Sequence, residues 1–354
     1  MKKKFNVVFI LLLAGLSLSA QTPVKVKVKV NEHVHSGNFG GRHVPGTWTA
    51  YIEDQKVFIQ FTGEDWDSGR TFSLAELGTL PGANEGTFTV TREAGSVTFK
   101  GEFAGGKGHG FYTFAENPSF KPYLEGKGFS GVDKDLMLHI FFTDINKNYF
   151  EFLKANGYAK ITSDQLKDLA YQDLNRKVLD DYLGLFKTEG YGHQSLDKIV
   201  ELREHGVNAK FVNGFHQMGY KNIPLDKALE LRDHGVTPQF IASIQSMGYK
   251  DITLDRAQEL RDHGVNPEFI HSIQSMGYKN ITLEKAQELR DHGVNPEFIK
   301  SITALGFTDL SLDKAQELRD HGVNAEYIKK IKDKGGRAHT LDDYIRLRDS
   351  GFNN

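Results

Sequence analysis

The chain has no cysteine. Disulfides, a thiol nucleophile and lipid attachment at an amino-terminal Cys are thereby excluded. Only nine prolines are scattered over 354 residues, and no proline-rich or serine-rich stretch marks a linker. No serine stands in a G-x-S-x-G elbow. Excess positive charge is lacking too: 44 basic residues face 46 acidic ones, a balance that does not suit a nucleic-acid partner. The apolar run from Phe5 to Leu13 is too short to span a bilayer. These absences leave no support for a catalytic centre or a cofactor, and a non-enzyme is the expectation.

What is present begins with a leader. "MKKKFNVVFILLLAGLSLSA" has a basic start, an apolar run and small residues toward Ala20. That layout predicts a signal peptide over 1–20, cleaved after Ala20. Its loss removes Lys2, Lys3 and Lys4 and no acid, leaving 41 basic against 46 acidic residues, a net charge of −5 with neutral His. The mature chain is expected to be exported, periplasmic or extracellular, without stable membrane insertion.

One phrase dominates the rest. "LRDHGVNPEFI" runs from Leu289 to Ile299, with close copies starting at Leu202, Leu231, Leu260 and Leu318. Gly190, Gly219, Gly248, Gly277 and Gly306 each precede an aromatic and are 29 residues apart; Gly335 keeps the spacing, with Gly336 in place of the aromatic. Gly157 lies 33 residues before Gly190 and Gly128 lies 29 before that, so "NPSFKPYLEGKGF" from Asn117 reads as a worn copy. A fixed period of this length is the mark of stacked units. Each unit reads as two short helices. Thr282 caps the first, Glu284 suits its dipole and Gly293 ends it. Asn295 caps the second, Pro296 opens it and Gly306 ends it. Phe298, Ile299, Ile302 and Leu305 make one apolar stripe, and Leu283, Ala286 and Leu289 a thinner one. Neither stripe can be buried alone, so about seven and a half units must stack over 117–354. The four extra residues near Val178–Tyr182 amount to one turn, predicting a longer second helix there.

Residues 21–116 alternate instead. "VKVKVKV" (Val24–Val30), "GTWTAYIE", "KVFIQFT", "GTFTVTRE", "SVTFKGEF" and "GFYTFAE" read as strands, with "EAG" as a hairpin connection. The fold class predicted is α+β: an antiparallel β domain, meander or sandwich, followed by an α-solenoid packed directly against it.

The order "GTWTAYIEDQKVFIQF", "FSLAELGTL", "GTFTVTREAGSVTFKGEFAGGKGHGFYTF" and then "LRDHGV.PEFI" units resembles a known arrangement. It is similar to the extracytoplasmic carboxy-terminal region of some bacterial BlaR-type membrane metallopeptidases and of free-standing secreted relatives. The resemblance covers nearly all of the mature chain and implies a sensor or accessory portion. The HExxH zinc motif and the membrane helices of those peptidases are missing, so their activity does not carry over.

Candidate sites follow from the repeats. His205, His234, His263, His292 and His321 form a ladder. With units spaced by about 10 Å and zinc ligands at about 2.0–2.1 Å, one ion cannot bridge two units; a His near each helix carboxyl end is the expectation. His33, His35 and His43 have metal-pair spacing without a third firm ligand. Asp65 and Asp67 lack the later acid of a calcium loop, so "EDWDSG" reads as a solvated hairpin tip. "GGKGHG" (Gly105–Gly110) reads as a turn. No metal site is expected. Arg203, Arg232, Arg261, Arg290, Arg319 and Arg348 form a second ladder, a ligand track or a salt-bridged face; like charges about 10 Å apart in water repel by only about 0.4 kcal/mol. Positions that differ between units, Ala242, His271, Lys300 and Lys329 with Lys330, are where a partner would find specificity. The expected ligand-contact surface therefore comprises those residues with Arg232, Arg261, Arg290 and Arg319. The expected function is a non-catalytic binding or accessory protein for a protein or anionic envelope polymer. A spacer without a ligand and a hydrolase with its site in the β domain stay open as alternatives.

Overall fold

The computed structural model describes residues 46–63 and 66–351. The leader, the Val24–Val30 alternation, the cluster of His33, His35 and His43, and Glu64 with Asp65 lie outside the described residues.

Strands β1 (Gly46–Glu53), β2 (Lys56–Thr62), β3 (Asp67–Ser73), β4 (Gly86–Arg92), β5 (Gly95–Ala104) and β6 (Lys107–Glu116) form one curled antiparallel sheet in the order β3-β2-β1-β6-β5-β4. Two three-strand meanders thus meet along the β1–β6 pair. A single turn of helix, α1 (Leu74–Leu77), leads from β3 toward β4. The period-two pattern explains the sheet: Val57, Ile59 and Phe61 of β2 are fully buried, as are Val97 and Phe99 of β5. Phe88 and Phe99 face one another across β4 and β5 with stacked rings 4.4 Å apart. Trp48 packs beside them and donates its indole N–H to the Phe111 carbonyl at 3.0 Å. Gly101 and Gly110 pair across β5 and β6. A Cβ on Gly110 would stand 2.0 Å from the Lys100 oxygen and one on Gly101 2.8 Å from the Trp48 ring, so the close approach requires glycine.

Two sequence readings need correction here. "EDWDSG" reaches past the hairpin tip: the Gly63 N–H bond to the Trp66 carbonyl at 2.8 Å closes the β2–β3 connection, while Asp67, Ser68 and Gly69 already belong to β3, paired with β2. "GGKGHG" is a turn only at Gly105 and Gly106, and Lys107 onward belongs to β6.

The helices are α2 (Phe120–Gly126), α3 (Lys134–Thr143), α4 (Lys147–Ala155), α5 (Ser163–Tyr171), α6 (Arg176–Glu189), α7 (Leu196–Glu204), α8 (Ala209–Gln217), α9 (Leu225–Asp233) and α10 (Pro238–Ser246). They continue as α11 (Leu254–Asp262), α12 (Pro267–Ser275), α13 (Leu283–Asp291), α14 (Pro296–Thr303), α15 (Leu312–Asp320), α16 (Ala325–Asp333) and α17 (Leu341–Asp349). From α3 to α16 they alternate as first and second members of pairs, and the first members from Leu196 to Leu341 start 29 residues apart. The extra turn lies where the spacing placed it: α6 has 14 residues where α8 has 9. Thr282 and Asn295 accept the N–H bonds of Lys285 and Phe298 as N-caps, and Pro296 is in the first turn. The worn copy departs from this. Asn117 directs its side chain to Ser119 and the Glu93 carbonyl, and α2 starts without a side-chain cap.

Helix α3 joins the two halves. Every residue from Leu136 to Thr143 is buried, because one face meets the sheet and the other meets the array. Phe142 packs on Phe61 at 4.5 Å and Phe141 on Phe114 at 5.6 Å. Its last carbonyls, Phe141 O and Phe142 O, accept from Arg92 at 2.5 and 2.8 Å, and the same guanidinium reaches Glu76.

Candidate functional site

The repeated phrase is a set of clasps between units. Each ladder histidine directs Nδ1 to an aspartate 28 residues on: His205 to Asp233, His234 to Asp262, His263 to Asp291, His292 to Asp320 (2.5 Å) and His321 to Asp349 (2.8 Å). The expected placement at helix carboxyl ends holds, since His292 and its equivalents are C-caps. The arginines bind backward. Arg261, Arg290 and Arg319 donate Nε–H to Gly235, Gly264 and Gly293 carbonyls at 2.8–2.9 Å. Their guanidiniums, with those of Arg232 and Arg348, lie 4.4–5.2 Å from ring centroids of the preceding unit, from Phe211 to Tyr327. The aromatics after the periodic glycines point forward: Tyr191, Tyr249 and Tyr278 donate O–H to Ile223, Ile281 and Leu310 carbonyls at 2.5–2.6 Å. A fourth clasp runs along the first helices. Lys227 pairs with Glu230 in its own helix and with Asp255 in the next unit at 2.7 Å; Lys285 does the same with Glu288 and Asp313. Repetition here encodes stacking.

The varying positions lie elsewhere. Ala242, His271, Lys300, Lys329 and Lys330 are exposed on the second helices α10, α12, α14 and α16. They change from small and neutral to basic toward the carboxyl end, where Lys332 reaches the Leu305 carbonyl and lies 5.0 Å over the Phe307 ring. Among the described residues, no cluster of three or more His, Asp or Glu is placed to hold a metal, and no helix is long and apolar enough to cross a membrane.

A concave feature with chemistry lies where β3 faces the first two helix pairs: a half-open cleft of about 730 Å³. Arg70 of β3, with Arg176 and Lys177 of α6, lines it. So do the carboxylates Asp144, Asp173 and Asp180, with the N-caps Asn146 and Asn175. The Arg70 side chain is only 10% exposed; Nη1 donates to the Gly69 carbonyl at 2.9 Å, while Nε and Nη2 have no hydrogen-bond partner. Asp173 stands 3.8 Å from Nε. Burial lowers the guanidinium's pKa from its ordinary value, and Asp173 opposes that. Tyr149 also lines the cleft; its hydroxyl donates to the Leu174 carbonyl at 2.6 Å, and burial raises its pKa. Next to Arg70, His139 is buried among Trp66, Tyr171 and Phe142, and burial holds its imidazole down to about 4.

None of these cleft residues stood among the sequence candidates. A signal was there: "TDINKN" and "QDLNRK" carry Asp144 and Asp173 where later units read "HGVN". Arg70 gave none, because "DSGRTFS" lacks the period-two alternation that marks a strand. No family model, no curated protein and no solved structure matches the chain.

Proposed function

We propose that this chain is an exported, non-catalytic binding protein whose helical array presents the outer faces of its second helices to a protein or an anionic envelope polymer. The observation that carries this reading is a division of labour. Residues that recur from Leu202 onward are engaged between units, whereas Ala242, His271, Lys300 and Lys329 differ and face solvent. A surface made only of copies would give a partner no unique register, so specificity falls to those positions. Their drift toward lysine gives an otherwise acidic chain one basic end, suited to an anionic partner. Export rests on the leader over 1–20.

The test is retention of the mature chain on purified envelope material at low and moderate salt. The variant carries Lys300→Gln, Lys329→Gln and Lys330→Gln together. Weaker retention with a shallower salt dependence is expected. Retention and salt dependence equal to those of the parent chain would remove these lysines from the function.

A further inference from the structure

The repeats provide an internal standard against which individual units can be read. Between paired helices, Gly206, Gly235, Gly264, Gly293 and Gly322 all adopt left-handed backbone, with φ from +66° to +69°. At the equivalent places the first two pairs carry Asp144 and Asp173, also left-handed at φ +54° and +51°. A side chain is disfavoured there, though less for Asp than for most residues. Each carboxylate also follows the negative end of a helix, α3 or α5.

The helix after the second of these turns adds two positive charges. Helices α12, α14 and α16 carry Glu268, Glu297 and Glu326 in their first turns, as the dipole favours. Helix α6 starts on Arg176 and Lys177 without a first-turn acid, and α4, α8 and α10 lack one too. Asp144, Asp173, Arg176 and Lys177 all line the same cleft. Local rules broken together at one place are the pattern expected of a functional site.

Arg70 supplies an independent observation. Nε and Nη2 are neighbouring donors on one edge of the guanidinium, the fork that takes a carboxylate through two parallel bonds. That fork is buried and unsatisfied, with Asp173 beside it beyond hydrogen-bonding distance. An unmet charged donor in such a place is costly, and a ligand carboxylate would satisfy it.

We propose that the cleft binds a small zwitterion, a free amino acid or short peptide. Its carboxylate pairs with the Arg70 fork, supported by Arg176 and Lys177. Entry displaces Asp173 from the guanidinium and frees that carboxylate, with Asp144 and Asp180, for the ligand's ammonium group. A purely anionic ligand would leave three carboxylates facing it, and a purely cationic one would leave the fork empty. The volume lies within the roughly 300–1,000 Å³ of small-molecule sites, with room for a peptide of a few residues.

Calorimetry on the full chain tests this with alanyl-alanine, its N-acetylated form, its C-terminal amide and inorganic phosphate as probes. The free dipeptide should bind, and each blocked form should bind more weakly by about tenfold or more. Arg70→Lys should weaken binding similarly. Because Arg70 is buried, the exposed-site variants Asp180→Asn and Lys177→Gln provide the same reading in a chain whose fold is unperturbed. The combined Lys300, Lys329 and Lys330 variant should bind the dipeptide unchanged, which separates this site from the array surface. Absence of binding by the free dipeptide, equal binding of the blocked forms, or phosphate binding as tightly as the dipeptide would each overturn the proposal.

Discussion

His139 is enclosed by the rings of Trp66, Phe142 and Tyr171, with Asp135 and Arg70 the charged groups that act on it. The folded chain holds it neutral down to about 4, against an ordinary 6.5. Below the ordinary value the unfolded chain takes up a proton that the folded chain refuses, so stability is lost as pH falls from about 6.5 toward 4. The loss attributable to this residue should approach roughly 3 kcal/mol at the acid end. His139→Leu should flatten that part of the stability profile, and denaturation at pH 7 and 4.5 with unchanged differences between variant and parent would refute it. His321 behaves in the opposite sense. Its bond to Asp349 raises its pKa, so the pair stabilises below the ordinary His value and the benefit fades as pH rises through the raised one. His321→Gln should therefore lower the Tm at pH 5.5 and leave it unchanged at pH 8.5. At this scale the apolar letters of the phrase were legible in one unit. The reach of His and Arg was not, because their partners lie 26 to 28 residues away in sequence and come close only by stacking.

Within an element, register decides which side chains matter. Phe298 is 6% exposed beneath Arg319, whereas Lys300, two residues on, faces solvent. Phe298→Ala should cost about 3–5 kcal/mol, and Lys300→Ala should stay within about 0.5 kcal/mol; similar melting shifts for the two would contradict the helix register. Tyr278→Phe keeps the ring and deletes the bond to Leu310, and urea unfolding should detect a loss of about 0.5–1.5 kcal/mol. Position 307 already carries phenylalanine, its ring packed edge-on to Tyr344 instead. Period explains which elements could be read. The helix pairs and five strands announce themselves by spacing. Strand β3 did not, since "DSGRTFS" buries only Phe72 in its pattern and is held by pairing with β2. The cleft shared that fate: its acids departed visibly from the repeat, but the arginine they face comes from the strand without a signal.

For the whole molecule, the clasps have a direction. His, Lys and Tyr side chains reach toward the next unit and Arg toward the preceding one, so the two faces of a unit complement one another and neither complements itself. Subunits joined by such a heterologous contact grow as open filaments unless geometry closes a ring. Here the donors stop. Ser350 occupies the place of His321 and Asp343 that of Lys314, while Asp342 and Asp349 still receive Lys314 and His321. At the opposite end α3 is covered by the sheet. A second copy stacked on α17 would find there neither the histidine nor the lysine half of the contact that joins the units.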